Sequence, residues 1–550
     1  MSKVEQTKYA SSNPNWHSIN WYKVLRKVRK LQIRIVKAEQ ESKHRKVKSL
    51  QRLLTSSFSS KALAVRRVTE NRGKSTSGVD GKIWGTPESK AKAIQSLRLK
   101  GYKPKPLKRV YLIKPNGKKR PLGIPTMKDR AIQSLFKIAL EPIAETRGDF
   151  NSYGFRPERS TQDAIEQCFK VLSHTYSVQW LLEGDISGCF DNISHDWLLE
   201  NIPMDKKILS KWLKCGFVYK NNLFSTKAGT PQGGIISPIL ANMTLDGLEK
   251  ELKSIFKVPY KQAKAQINLI RYADDFIVTG SSKEILTEKV LLVIKDFLKK
   301  RGLELSEEKT KISHISDGAN FLGVNIRKYN NKLIIKPSKE NIKTFLAKVR
   351  KLIKINCMNT QKDLIVMLNP IIRGWCNFHR NNVSSKVFKY IDTEIFKALW
   401  NWCKRRHNNK SLYWIKDKYF KTIENNNWIF ADGESILIKA SSIKIIRHTK
   451  IKGNANPYAK EWEIYFEKRQ KDNMLNNVIK TNKLKNILMS QGFKCVICKH
   501  LITENNLWDL HHIVKKVEGG SNNISNLVIL HTNCHRQVHS QNLEVVKPCS

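Results

Sequence analysis

The sequence predicts an α+β protein of several domains. Two short and largely apolar runs, Ile267–Ile270 and Phe276–Val278, flank the adjacent aspartates Asp274 and Asp275. Runs of this length on either side of a turn are typical of buried strands, whereas the basic segments before and after them have the apolar spacing of helices. A C-terminal region rich in Cys and His is spaced like a small metal-stabilised fold. The length of 550 residues corresponds to roughly three or four domains of about 150 residues.

The charge balance restricts the partners of the chain. It contains 100 Lys and Arg residues against 47 Asp and Glu residues, a net charge of +53. This surplus predicts a polyanionic partner, and we expect its affinity for duplex nucleic acid to fall with salt by a log–log slope of about −0.9 per neutralised phosphate. A membrane surface is disfavoured, because the basic residues are interleaved through segments that have the pattern of folded structure.

The same composition predicts the compartment. No apolar run approaches the ~18 residues of a membrane-spanning helix, and the N-terminal residues have no apolar core of a signal peptide. Most of the ten cysteines are scattered, which indicates a reducing compartment with one metal site. We expect the cytoplasm or nucleoid of a bacterium, or the interior of an organelle, and not secretion.

The first element is predicted to be one basic helix from Trp21 to Leu54. Val28 and Ile35 fall on its apolar face, and Arg26 and Lys30 lie around them. These two cations are candidates to bind RNA or phosphate. The alternative is an ordinary solvated helix face.

A basic hairpin is predicted next. Val110–Ile113 has the pattern of a strand, Pro115–Gly117 that of its turn, and Lys118, Lys119 and Arg120 begin the return strand. Cations on such a hairpin could close over a phosphate chain, or they could protect a sheet edge.

A third carboxylate complements Asp274 and Asp275. The segment from Trp180 predicts a strand that delivers Asp185 at its C-terminal end. Adjacent carboxylates raise each other's pKa unless a cation neutralises them, and Mg²⁺ accepts carboxylate oxygens together with phosphates. Three carboxylates at two strand ends can hold two divalent ions about 3.5–4 Å apart, the arrangement of phosphoryl transfer.

Eight segments resemble, in order, those of reverse transcriptases of the group II intron-encoded family. They are SGVDG, KRPLGIPT, YGFRP, EGDISGCFDNISH, GTPQGGIISPILAN, YADDFIVTG, GLELSEEKTKI and FLGVNI, over roughly residues 60–326. The resemblance implies a right-hand polymerase whose fingers and palm, residues 60–330, contain a split βαβ core. Residues 1–59 would be a basic helical extension before it.

The resemblance also implies roles for individual residues of the polymerase. Asp185, Asp274 and Asp275 would be the catalytic residues that bind Mg²⁺. Phe190 would clash with a ribose 2′-hydroxyl and so select dNTPs. Gln232 would contact the incoming nucleotide, and Lys118, Lys119 and Arg120 its phosphates.

Residues 331–430 resemble the α-helical thumb, or maturase, domain of the same family, which binds intron RNA. Aromatic and basic residues alternate there, which suits stacking on RNA bases, although a helix bundle with solvated lysines has the same pattern. The candidate RNA-binding residues are Lys348, Lys351, Arg373, Lys404, Arg405 and Arg406. The family places a DNA-binding region at residues 431–485.

Four residues near the C-terminus have the spacing of a structural Zn²⁺ site. They form two close pairs, Cys495 with Cys498 and His531 with Cys534. The surrounding pattern resembles a small ββα HNH endonuclease finger over residues 486–550. In that family the site commonly has four cysteines, so His531 is a departure from the pattern.

The HNH resemblance implies a nuclease site beside the zinc. His512 would be the general base, oriented by Asn526, while His511, His535 and His539 would surround one hydrolytic metal, expected to be Mg²⁺. In the alternative arrangement His535 completes the zinc site, which would leave a DNA-binding finger without cleavage.

Together these features predict a multifunctional group II intron protein that combines a reverse transcriptase, a maturase and an HNH endonuclease. The nuclease would nick target DNA, and the polymerase would extend the freed 3′-hydroxyl with dNTPs on an intron RNA template. One rival is an RNA-binding splicing cofactor with inactive sites, which the presence of all three aspartates and both His sets disfavours. A reverse transcriptase of another retroelement is disfavoured by the maturase and HNH segments.

Overall fold

The computed structural model describes residues 15–113, 117, 119–255, 265–424, 426–478 and 481–548. It begins with four helices: α1 (Trp21–Gln40), α2 (His44–Ser56), α3 (Phe58–Glu70) and α4 (Pro87–Ser96). The predicted single helix from Trp21 to Leu54 is therefore wrong. The helix breaks because Ser42 adopts a φ of 54°, and the Lys43 N–H then donates to the Ala38 carbonyl oxygen.

The fingers contain the predicted basic hairpin. Its elements and the helices that follow are β1 (Leu107–Ile113), β2 (Lys119–Ile124), α5 (Met127–Arg147) and α6 (Thr161–Leu172). β1 and β2 pair antiparallel, with Val110 opposite Leu122. Lys118 and most of the predicted turn lie outside the described residues. α5 is buried along most of its length and packs against α1, where the Gln32 side chain donates to the Ile138 carbonyl oxygen at 3.0 Å.

The palm is built on a four-stranded antiparallel sheet in the order β6-β7-β3-β8. Its strands are β3 (Trp180–Asp185), β6 (Asn268–Tyr272), β7 (Asp275–Gly280) and β8 (Lys311–His314). Leu181, Leu182, Ile277 and Val278 are fully buried in the sheet, as their apolar runs predict.

Short elements connect the palm strands. They are α7 (Cys189–Asn192), α8 (His195–Asn201), α9 (Lys206–Leu213), β4 (Phe217–Tyr219), β5 (Asn222–Phe224), α10 (Ser237–Leu245), α11 (Leu248–Ser254) and α12 (Leu291–Lys299). β4 and β5 extend the finger sheet to the order β2-β1-β4-β5.

The thumb follows a small sheet that closes the palm. The strands of this sheet are β9 (Ala319–Phe321), β10 (Val324–Tyr329) and β11 (Lys332–Pro337). The helices of the thumb are α13 (Lys339–Ile355), α14 (Gln361–His379), α15 (Ser385–Arg406) and α16 (Leu412–Tyr419). They are followed by the strands β12 (Phe420–Ile423), β13 (Asn426–Asp432) and β14 (Ser435–Ile436). The thumb helices have their own apolar core, which continues to Ala440. The predicted boundary at residue 430 therefore falls inside β13.

Residues 443–459, which we term the strap, have no helix or strand and run back over the polymerase. The Gly453 and Pro457 carbonyl oxygens accept hydrogen bonds from Arg159 and Arg29, at 2.9 and 2.6 Å. Helix α17 (Glu463–Asn473) follows the strap. Part of the predicted DNA-binding region is thus occupied by contacts within the chain.

The C-terminal finger has a ββα arrangement that packs on the start of the chain. Its elements are α18 (Asn482–Ser490), β15 (Trp508–His512), β16 (Leu527–His531) and α19 (Thr532–Gln541). The Trp16 indole donates to Asn533 Oδ1 at 3.0 Å, and the Gln537 amide donates to the His17 and Ile19 carbonyl oxygens.

Within the described ranges, the helices lack the combined length and apolar character that crossing a membrane would need.

Candidate functional site

The three palm carboxylates meet at one edge of the sheet. β3 ends at Asp185, and β7 begins at Asp275, which lies directly opposite Asp185 in the antiparallel register. Asp274 is in the turn between β6 and β7, beside Ala273, whose φ is 59°. The structure thus brings together the aspartates that the sequence places at two strand ends.

Two of these carboxylates, those of Asp274 and Asp275, resist ionisation. The pKa values of Asp274 and Asp275 are both raised, mainly because the surrounding protein displaces water from the carboxyl groups. A hydrogen bond with Asp185 and the neighbouring negative charges raise the pKa of Asp275 further. A cluster of hard oxygen donors that repel each other is the donor set that Mg²⁺ prefers, so these residues fit a Mg²⁺ site.

Lys309 is a member of this cluster that the sequence analysis did not single out. Its ammonium Nζ lies 2.5 Å from Asp185 Oδ2, and this hydrogen bond raises the pKa of Lys309. The segment before it is fixed to the end of β3, because the Ser306 N–H donates to the Asp185 carbonyl oxygen at 2.8 Å. Lys309 lies within the family-like segment GLELSEEKTKI, but nothing in that text distinguishes it from Lys311.

Four of the residues predicted to bind the nucleotide lie within the described part of the chain: Lys119, Arg120, Phe190 and Gln232. Phe190 is half-buried in α7, and its ring centroid is 6.0 Å from that of Phe155. The Gln232 amide donates to Asp191 Oδ2 at 3.1 Å, which brings Gln232 to the same helix. Lys119 and Arg120 begin β2 with exposed side chains. The charge of Arg120 lowers the pKa of Asp274, against the larger effect of burial.

The YGFRP loop, residues 153–157, packs directly against the turn that carries Asp274. A Cβ at Gly154 would lie 2.4 Å from the Ala273 backbone nitrogen, so the two backbones touch. The Asn242 side chain donates to the Gly154 carbonyl oxygen at 2.7 Å. The fully buried Arg271 forms an ion pair with Asp246 at 2.6 Å. The turn is therefore held by packing and by charge.

Most of the predicted RNA-binding cations face solvent. The exposed ones are Arg26, Lys30, Lys348, Lys351, Lys404, Arg405 and Arg406, while Arg373 is half-buried. Arg406 also closes the thumb, because its guanidinium donates to the Cys357 and Asn359 carbonyl oxygens at 2.8 Å each. Arg405 and Arg406 line a groove of about 680 Å³ between α13 and α15.

The predicted zinc ligands form one buried cluster. The ligand atoms of Cys495, Cys498, His531 and Cys534 all lie within 4.8 Å of one another. His531 Nδ1 is 3.3 Å from Cys498 Sγ. Three sulfurs and one imidazole at this separation suit tetrahedral Zn²⁺.

The second cluster contains three of the predicted nuclease histidines. Nitrogen atoms of His511, His535 and His539 lie within 4.8 Å of one another, and His535 Nδ1 is 3.2 Å from Asp509 Oδ2. The pKa of His511 is lowered to about 4, first by burial and then by the charges of the other two histidines. Neutral imidazoles are the form that binds a metal. The geometry joins His535 to this cluster and not to the cysteines, against the alternative assignment.

The predicted orientation of His512 by Asn526 is wrong. His512 Nε2 lies 2.9 Å from Asn522 Oδ1. Asn526 instead closes the loop between β15 and β16, because its side chain bonds to the backbone N–H and carbonyl of Val514 and to the carbonyl of Ser521. Asn526 precedes β16 by one residue, and its side-chain hydrogen bonds stabilise this loop.

Four family models match consecutive parts of the chain. They are the N-terminal domain of reverse transcriptase over residues 16–97, reverse transcriptase (RNA-dependent DNA polymerase) over 112–326, the group II intron maturase-specific domain over 342–420, and HNH endonuclease over 495–541. The polymerase match contains the palm carboxylates, and the HNH match contains both Cys/His clusters.

Two bacterial proteins are similar to this chain over long segments. The group II intron-encoded protein LtrA of Lactococcus lactis subsp. cremoris is 32% identical over 413 residues, which cover 58% of this chain and 68% of LtrA. Protein YkfC of Escherichia coli K12 is 34% identical over 48% of this chain and 78% of its own length.

A structure of telomerase from Candida albicans aligns with 57% of this chain and with 64% of the telomerase chain, at 11% sequence identity and a TM-score of 0.34.

The identity to LtrA over two thirds of its length, together with the consecutive domain matches, establishes the family. The chain belongs to the group II intron-encoded proteins that join a reverse transcriptase, a maturase domain and a C-terminal HNH domain.

Proposed function

We propose that this protein synthesises DNA on its intron RNA, assists the splicing of that RNA, and nicks the DNA target at which synthesis begins. The observation that carries the proposal is the convergence of Asp185, Asp274 and Asp275 at one sheet edge. The zinc-type and histidine clusters in the C-terminal finger support the nuclease step.

In the polymerase, the three aspartates would hold Mg²⁺. The bound metal supplies charge neutralisation for the attacking 3′-hydroxyl and for the triphosphate. Phe190 would restrict the space at C2′ of the incoming sugar, and Arg120 would bind its phosphates. Lys309 keeps a positive charge against Asp185, which reduces repulsion within the cluster.

In the thumb, intron RNA would bind along α13 and α15. Arg405 and Arg406 in the groove between these helices supply guanidinium planes for phosphates and bases. Lys348 and Lys351 extend the basic surface on the exposed side of α13.

In the finger, Zn²⁺ at the Cys₃His cluster would hold the ββα fold together. The histidine cluster would bind one divalent metal, which stabilises the leaving oxygen during hydrolysis. His512 would accept the proton of the attacking water, with Asn522 fixing its ring.

The test is target-primed synthesis by the protein assembled with RNA of its encoding intron, on a DNA duplex of the joined flanking exons. We expect Asp274→Asn to nick this duplex without extending it, and His512→Ala to extend only a duplex that is nicked in advance. Asp317→Asn changes an exposed acid elsewhere on the palm and should behave like the wild type.

Two results would contradict the proposal. If the wild type neither nicks nor extends but still promotes splicing, the protein is a splicing cofactor. If the wild type copies RNA and leaves every duplex intact, the endonuclease assignment fails and the polymerase assignment stands.

A further inference from the structure

A cavity of about 470 Å³ separates the N-terminal extension from the C-terminal finger. One wall is formed by His17 and by Lys90 of α4, and the other by Asn533, Arg536 and His539 of α19. The hydrogen bonds from Trp16 to Asn533 and from Gln537 to the His17 and Ile19 carbonyl oxygens fix the two walls relative to each other. The cavity is therefore a feature of the folded protein and not of one domain alone.

Two cations that line this cavity, Lys90 and Arg536, form no ion pair with an acid among the described residues. Lys90 is only 8% exposed, and its Nζ lies 5.4 Å from the centroid of the Trp16 ring. Burial lowers the pKa of Lys90, and the charge of Arg536 lowers it further. The charge of Glu70 raises the pKa of Lys90, but the Glu70 carboxylate is ion-paired with Arg66 at 3.0 Å. Glu88 on α4 bonds to the backbone and to Thr86 at the start of the helix. A buried ammonium that faces a second cation is stabilised when an anion binds between them.

Further polar groups around the cavity also lack partners. Asn533 is 7% exposed, and its Nδ2 is a buried donor without an acceptor in the described part of the chain. The same holds for His17 Nδ1. Buried polar groups are nearly always hydrogen-bonded in native proteins, so these two atoms are available to pair with a group that enters the cavity.

The cavity adjoins the proposed nuclease site. His539 belongs to both the cavity wall and the histidine cluster, and Arg536 directly follows His535 of that cluster. An anion held here would lie beside the hydrolysed phosphodiester. When DNA is bound at the nuclease site, the anions next to the hydrolysed bond are the neighbouring backbone phosphates of the DNA.

We infer that the cavity binds a backbone phosphate of target DNA flanking the nicked bond, so that Lys90 of α4 completes the DNA-binding surface of the nuclease. This inference rests on the proposed endonuclease function. It explains why the finger packs on the first helices of the chain: the contact places a second cation, Lys90, beside Arg536 of the finger.

The experiment measures nicking of the joined-exon duplex by the full-length protein assembled with its intron RNA. We expect Lys90→Gln and Arg536→Gln each to lower kcat/KM for nicking about tenfold, because a hydrogen bond to a charged group contributes roughly that factor. The effect should appear mainly in KM, and RNA-templated primer extension should be unchanged. Lys92→Gln, which alters an exposed lysine of the same helix, should nick like the wild type.

A structural role for Lys90 is separated from phosphate binding by neutral linkages in the DNA. A single methylphosphonate placed at successive positions around the nick should cost the wild type about tenfold at one position, while Lys90→Gln loses nothing further there. Lys90→Arg should keep the wild-type response at that position.

Three results would overturn the inference, and a fourth would reject the function on which it rests. Lys90→Gln could nick as fast as the wild type, which would show that Lys90 takes no part in nicking. The decrease in nicking caused by Lys90→Gln could instead add to the decrease caused by the methylphosphonate at every position, which would assign Lys90 to packing alone. A loss of intron RNA binding with unchanged DNA nicking would assign the phosphate to RNA. Wild-type protein that does not nick at all would instead reject the proposed endonuclease.

Discussion

At the scale of single residues, the palm site depends on neighbours that carry no reactive group. Asp274 is presented by a turn in which Ala273 has a positive φ, and Gly154 lies directly beneath that turn. Arg271 and Asp246 add a buried ion pair near the C-terminal end of β6, next to the turn. The carboxylates are therefore positioned by backbone contact between two distant segments.

Gly154→Ala tests this contact. The added methyl group would lie 2.4 Å from the Ala273 nitrogen and 2.9 Å from the Tyr272 carbonyl carbon, and backbone atoms cannot rotate away. Displacement of catalytic groups by about 1 Å can cost about 100-fold in rate, so we expect primer extension to fall by about that factor. Single-turnover extension measures it, with RNA affinity as the check on folding.

Gly374→Ala is the matched control, because a Cβ at Gly374 would meet no atom within 4 Å. It should retain full extension. Equal activities of the two variants would show that the YGFRP loop does not position the turn.

The sequence identified the site residues that adjoin a recognisable apolar strand pattern. It did not identify residues that reach the site only through contacts formed in the folded protein. Asp185, Asp274 and Asp275 follow apolar runs that identify strand ends. Lys309 carries no such mark, because its role arises from the pairing of its segment with β3. The role of Asn526 was misassigned, since spacing alone does not distinguish a bond to His512 from bonds to the Val514 backbone.

At the scale of elements, the strap and α17 are fastened to the polymerase at one buried carboxylate. Asp163 Oδ1 accepts hydrogen bonds from the Ile451 N–H at 2.7 Å, from Arg469 at 2.8 Å and from His448 at 2.9 Å. Its Oδ2 accepts two from Ser160, at the start of α6. This clasp joins residues nearly 300 positions apart in the chain.

Burial alone would raise the pKa of Asp163, but the hydrogen bond from His448 and the charge of Arg469 outweigh it and lower the pKa to about 2. Because this lies below the unfolded value of about 3.9, the clasp stabilises the fold fully above that value and ceases to do so as the pH falls through about 2.

We expect Asp163→Asn to destabilise the protein by about 3–5 kcal/mol at pH 7, since Arg469 would remain buried without its partner. The difference from the wild type should persist down to about pH 5 and shrink between about pH 4 and pH 2. Denaturant unfolding at several pH values measures the difference, and hydrogen exchange should show faster exchange in residues 443–459. A difference that does not depend on pH would contradict the assigned role of the carboxylate.

The strands and most helices could be predicted from sequence because each carries its own periodicity. The break between α1 and α2 could not, because neither Gly nor Pro marks it and Ser42 adopts its conformation without a distinctive neighbour. The strap was also missed. Its backbone is ordered by Arg29, Arg159 and Asp163, and none of these lies near it in the sequence.

At the scale of the whole molecule, the polymerase and the finger share one apolar core. The same cluster of buried residues includes Trp16 and Trp21 of the extension, Leu182 of the palm and Leu530 of the finger. The thumb has a separate apolar core. The chain has a net charge of +53, which favours the binding of RNA and DNA along the protein surface.

The central claim is that the palm carboxylates catalyse DNA synthesis on RNA, and primer extension tests it most directly. The wild type and Asp274→Ala are compared on an annealed RNA template and DNA primer with Mg²⁺ and dNTPs, after equal binding of intron RNA is verified. We predict extension by the wild type and none by the variant. Well-folded wild type that binds its RNA tightly and extends no primer would contradict the account.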